Sequence, residues 1–203
     1  MRFVAALLLA AAFPAFPDTS DSGQSVTVLL DFEKPYAPAS MDAMRHELQT
    51  LLEPAGLKVD LRLKDDVAPG AIFNQLVVFK MKGACSMVAL PVGALSDERG
   101  PLAMTHSSDG TLLHFGEVEC DRVRQSIQRV LGRGYPERRQ AALGTALGVV
   151  MAHEMYHMIA NAKNHTGEGV TKRSLSAQEL LAGDLSVPEL ARKAVQHGLV
   201  PAQ

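Results

Sequence analysis

The chain has 203 residues, 47% of them hydrophobic and 21% charged, a balance that suits one domain with its own core and excludes a disordered or low-complexity protein. Twenty basic residues against 22 acidic ones leave a formal charge of -2, so nothing electrostatic favours nucleic acid as a partner. With no Trp, three Tyr and seven Phe, aliphatic side chains and nine Met must fill the interior.

Met1 and Arg2 precede an uninterrupted apolar run, Phe3 to Phe13, too short to cross a bilayer core of ~30 Å as a helix. It reads as a signal peptide over residues 1–12, with the small residues Ala10 and Ala12 before the cut and Pro14 ending the run. The mature protein is then expected outside the cytoplasm, secreted or periplasmic, with no stable membrane anchor once the leader is gone. Cys85 and Cys120 are the only cysteines, and in an oxidising compartment they are expected to form a disulfide. Residues 20–203 carry no repeat, charge run or linker and read as a single domain.

Ser25 to Phe32 (SVTVLLDF) is rich in β-branched residues and predicts a strand. A helix follows, with Ser40 as the expected N-cap and Met44, Leu48, Leu51 and Leu52 at helical spacing until Pro54 and Gly56. Leu57 to Leu63 alternates apolar with polar, which predicts a half-buried strand. Leu76 to Phe79 and Met87 to Val92 read as two further strands. Leu102 to His106 and Thr111 to Val118 bracket an Asp109-Gly110 hairpin signal, across which His106 and His114 are expected to pair. Past Cys120 the period becomes helical: Val123, Ile127, Val130 and Leu131 form one stripe, and another helix starts after Pro136. Ser176 with Glu179, and Ser186 with Glu189, have capping-box spacing, so two short helices are expected to close the chain. Strands first and helices second predict an α+β fold, a twisted mixed sheet packed on helices.

The segment Ala141 to Ala152 contains no charge and no proline and predicts a buried helix, with Gly144, Ala146 and Gly148 allowing neighbours to approach closely. That helix runs into His153, Glu154, Met155, Tyr156 and His157, the HExxH spacing. Residues four apart share a helix face with Cβ atoms ~5 to 6 Å apart, so both imidazoles can reach one zinc ion. Glu154, one step round the helix, reaches a zinc-bound water instead and can take its proton. The third ligand is sought downstream, where His165, Glu168 and Glu179 compete: eight residues after His157 suffice for a turn at Asn161 and a return of His165 to the metal, whereas Glu179 starts a separate helix and already has a partner in Ser176. Tyr156 and Tyr135 are weaker candidates for stabilising an oxyanion.

The stretch HEMYHMIANAKNHTGEGV, His153 to Val170, resembles the active-site segment of the metzincin branch of the zincin metalloproteases, and is similar to small exported bacterial proteins regarded as zinc peptidases. The resemblance implies a zincin-like domain with a buried active-site helix. It also implies Zn2+ held by His153, His157 and His165, and Glu154 as the base in hydrolysis of a peptide or protein substrate. The chain differs from the HExxHxxGxxH pattern in having Ala160 at the glycine position, its third His two residues later, and no Met after His165. The alternative is a non-catalytic exported protein in which zinc only fastens helix to loop.

Overall fold

Alternation of apolar and polar residues builds the sheet on which everything else rests. The computed structural model describes residues 24–87, 100–131, 135–183, 185–189, 191–193 and 195; the expected leader and the expected Met87 to Val92 strand beyond its first residue lie outside them. Its strands are β1 (Gln24–Phe32), β2 (Leu57–Leu63), β3 (Leu76–Lys82), β4 (Ala103–Ser108) and β5 (Thr111–Glu119), and its helices α1 (Pro38–Leu52), α2 (Cys120–Gln128), α3 (Pro136–Ala160) and α4 (Ala177–Ala182). One sheet has the order β2-β1-β3-β5-β4. β1 runs parallel to β2 and β3, β3 runs parallel to β5, and only β4, on the edge, is antiparallel to its neighbour. The fold is therefore α+β with a mixed sheet, as the order of elements predicts.

The parallel pair β1 and β2 needs a crossover, and α1 supplies it. On β1, Val26, Val28 and Leu30 are buried; on β3, Val77, Phe79 and Met81 are buried while Lys80 between them is exposed. One face of the sheet is thus covered and the other is wetter. The covered face meets Met44, Leu48 and Leu52 of α1 and Leu147, Met151 and Met155 of α3 in one apolar cluster. Each such side chain contributes roughly 1.5 to 3 kcal/mol by leaving water.

The start of α1 corrects one expectation. Ser40 is not its N-cap: Ala37 holds that position with Pro38 at the first helical residue, where a missing N–H costs nothing. Ser40 lies inside the helix, buried, and its hydroxyl donates to the Gln140 carbonyl of α3 at 2.8 Å. The two helices come close because α3 offers glycines at the contact. A Cβ on Gly144 would stand 2.2 Å from the Ser40 carbonyl oxygen, and one on Gly148 would stand 2.8 Å from Glu47 Cβ. α3 is in this way clamped between α1 and the β4–β5 edge of the sheet.

Cys85, just past β3, and Cys120, at the start of α2, are joined by a disulfide with Cα atoms 4.9 Å apart. This is compatible with a life in an oxidising compartment. Among the described residues no helix is long and apolar enough to cross a membrane.

Candidate metal centre

The last three turns of α3 carry His153, Glu154 and His157, and burial of the preceding turns fixes where they point. α3 ends at Asn161, which takes the left-handed conformation (φ 46°, ψ 39°) that Asn tolerates better than most residues. The chain reverses there and brings His165 back over the helix. The three rings stand 4.7 to 5.1 Å apart between centroids, and one ligand nitrogen from each lies within 4.8 Å of the others.

Backbone carbonyls orient two of the imidazoles. His153 Nδ1 is 2.8 Å from the Val170 carbonyl and His157 Nδ1 bonds the Ala162 carbonyl. A carbonyl only accepts, so each Nδ1 carries the hydrogen and each Nε2 of the neutral ring is left with a lone pair. Those two Nε2 atoms are 3.1 Å apart. Two acceptors cannot bond one another at that distance, and a cation between them satisfies both. Tetrahedral ligands 2.0 to 2.1 Å from one ion stand about 3.3 Å apart, close to the separation found. A second-nitrogen bond to a backbone carbonyl is also how metal-binding histidines are usually held. The set can therefore hold a metal ion that accepts imidazole nitrogen.

The electrostatics favour the ligand state. Burial pushes the His153 pKa below its ordinary value, partly opposed by the Val170 carbonyl. His165 is also lowered, by burial first, then by His153, His157 and Arg173. Both shifts keep the rings neutral, the form that binds metal.

Glu154 stands beside the three histidines and outside their ligand set. Its Oε2 accepts a hydrogen bond from Thr105 Oγ1 of β4 at 2.6 Å. The residue is 7% exposed, and burial raises its pKa against the opposing effects of Thr105, His157 and His165. A carboxylate made more basic at the wall of a cleft is a candidate proton acceptor. The cleft measures ≈ 620 Å³ and is walled by Ala103 and Thr105 of β4, Leu112 of β5 and Val150 of α3.

The rival third ligands have other occupations. Glu179 closes a capping box with Ser176 and bonds Lys172 Nζ at 2.5 Å; Lys172 first, then the Ser176 N–H, holds its pKa down to about 2. Glu168 is exposed and is not part of the cluster. Tyr135 is 75% exposed and Tyr156 is buried, its ring 5.3 Å from that of His157, and neither lines the cleft. The expected His106 to His114 pair does not form: the register of β4 against β5 shifts between Thr105 and Ser107, and the His106 ring lies tilted against Phe115, centroids 5.0 Å apart, with Nε2 3.8 Å from Glu117. His46 is exposed on α1. Thr105 and the Val170 and Ala162 carbonyls were not foreseeable as site groups. The first is 49 residues from its partner, and carbonyls have no sequence signature.

Compared with known protein families, curated proteins and solved structures, the chain matches none.

Proposed function

We propose that the protein is an exported, zinc-dependent peptidase with a zincin-like fold. The observation that carries this reading is the convergence of His153 Nε2, His157 Nε2 and His165 beside the buried carboxylate of Glu154, at the wall of an open cleft. Three imidazoles with an accessible side suit catalytic zinc, whereas purely structural zinc is usually closed by a fourth protein ligand. A mixed sheet and helix ahead of the HExxH helix support the zincin-like fold.

Bound zinc would supply Lewis acidity at the cleft. The chain's own residues would do the rest. His153, His157 and His165 would hold the ion, with Val170 and Ala162 fixing two of the rings. Thr105 holds Oε2 of Glu154, so that its other oxygen is aimed by a short bond from the edge strand. Glu154 takes a proton from water as the water oxygen bonds to the peptide carbonyl carbon. It returns that proton to the nitrogen as the C–N bond breaks.

Metal analysis of the purified protein, with peptide hydrolysis by Glu154→Gln, tests this. Stoichiometric zinc is expected in both forms, and a fall in hydrolysis of about 100-fold or more in the variant. Undiminished hydrolysis would refute the role of Glu154. Zinc held with no hydrolysis by the unsubstituted protein would instead establish the reading in which the metal only fastens α3 to its following loop.

A further inference from the structure

The loop that returns His165 to the centre also brings positive charge to the cleft. Lys163, Lys172 and Arg173 all line it. Lys172 is neutralised by Glu179, but Lys163 and Arg173 are exposed and form no ion pair or side-chain hydrogen bond among the described residues. Glu154 is the one carboxylate among the described lining residues, and Thr105 engages it. The chain as a whole has a formal charge of -2, so a cleft lined by Lys163, Lys172 and Arg173 against the single carboxylate of Glu154 is not the by-product of a basic protein.

The loop backbone between the two cations is held in place. The Thr166 N–H donates to the Thr171 carbonyl at 3.1 Å, Val170 is buried, and its carbonyl is bound to His153. Lys163 lies two residues before His165 and reaches the β4–β5 turn, its Nζ 3.9 Å from where a Cβ on Gly110 would stand. Arg173 follows the short turn Gly169–Thr171. Leu112, Val150 and Leu175 give the same cleft an apolar side. Such a surface suits an extended peptide that carries apolar groups and a negative charge.

We propose that the cleft selects peptides by a carboxylate, and that Lys163 and Arg173 read it. The carboxylate can belong to an Asp or Glu side chain or to a free C-terminus; both present the same group. The fate of the bound peptide rests on the peptidase reading, whereas its recognition can be measured without cleavage. Solvent-exposed pairs contribute modestly, so the two cations together are expected to give a preference of roughly tenfold at low salt. Screening should erase most of it as the Debye length falls from ~30 Å at 0.01 M to ~3 Å at 1 M.

The test is peptide binding to the zinc-loaded full chain carrying Glu154→Gln, read by anisotropy of a neutral dye. One peptide has a blocked C-terminus and a Glu moved through its positions, one is its blocked Gln counterpart, and one is the Gln peptide with a free C-terminus. The blocked Glu peptide or the free-terminus peptide should bind roughly tenfold tighter than the blocked Gln peptide; which of the two does so identifies the carboxylate. Adding Lys163→Gln and Arg173→Gln should reduce the ratio to within about twofold. Salt should do the same to the protein with both cations intact, so the proposal stays open to refutation even if the double variant folds poorly. Equal binding of all three peptides, or a preference that survives removal of both cations, would overturn the proposal. Incubating the same peptides with the unsubstituted protein tests the peptidase reading separately: acidic preference without cleavage would remove that reading and leave recognition standing.

Discussion

Replacing Gly144 with Ala puts a methyl group where α1 already stands. Its Cβ would lie 2.2 Å from the Ser40 carbonyl oxygen and 2.8 Å from Ala43 Cβ. The first contact is backbone, and Ser40 is itself tied to Gln140, so no side-chain rotation relieves it. The helices must separate by about 1 Å, an overpacking strain at the upper end of the usual range, about 3 kcal/mol. Against this, Ala gains about 1 kcal/mol over Gly in a helix interior. The net effect is a loss of about 2 kcal/mol, or a fall in Tm of about 4 to 8 °C for a domain of this size. Thermal unfolding followed by circular dichroism measures it. Gly167→Ala is the control: no atom lies within 4 Å of its added Cβ, and the variant should be neutral or stabilised by about 0.4 to 1 kcal/mol. If Gly144→Ala raises Tm as Gly167→Ala does, α3 is not pressed against α1 at this point and the account of how the metal-bearing helix is held is wrong.

Three further outcomes are expected. Against a competing chelator, His165→Ala should release metal at concentrations where Glu179→Ala retains it, because only His165 belongs to the ligand cluster; the reverse order would reassign the third ligand. Glu179, depressed to about 2 in the fold against an ordinary 4.5, contributes stability that is fully present above pH 4.5 and is lost as pH falls from there towards 2. Acid titration of Glu179→Gln should therefore show a shallower loss over that window, and an unchanged slope would deny the Lys172 contact a role. Replacing Cys85 and Cys120 together with Ser, which opens a loop of sequence separation 35, should cost about 3 to 4 kcal/mol and lower Tm by roughly 6 to 16 °C. Thiol alkylation of the unreduced protein should label neither cysteine.

What could be read from the chain alone was what neighbours in sequence decide. Leu57 to Leu63 declares its period of two, and β2 has those bounds. Asp109 and Gly110 declare the hairpin, and both adopt positive φ. His153 and His157 declare a shared helix face, Asn161 a left-handed stop, and Ser176 with Glu179 a capping box that is present in full. Ser40 misled because a good cap residue two positions after a proline competes with it, and Pro38 fixes the start of α1. What could not be read depends on packing between distant segments. Nothing local says that β1 lies between β2 and β3, or that Thr105 on the edge strand meets Glu154. The register shift that turns His106 away from His114 likewise arises from the pairing of two strands, which no single strand's composition reveals.

The bond between Cys85 and Cys120 makes a covalent ring of everything from the end of β3 to the start of α2, the β4–β5 hairpin with Thr105 included. A chain exposed to proteases is most often cut at loop tips, and a single cut inside this ring releases no fragment. Both new ends stay tethered through sulfur, and β5 stays seated on β3 by its own hydrogen bonds. The severed piece is then confined near its place at an effective concentration of about millimolar or more. Nicked and intact molecules would share one mass but for an added water, and would part only when the sulfur bridge is reduced.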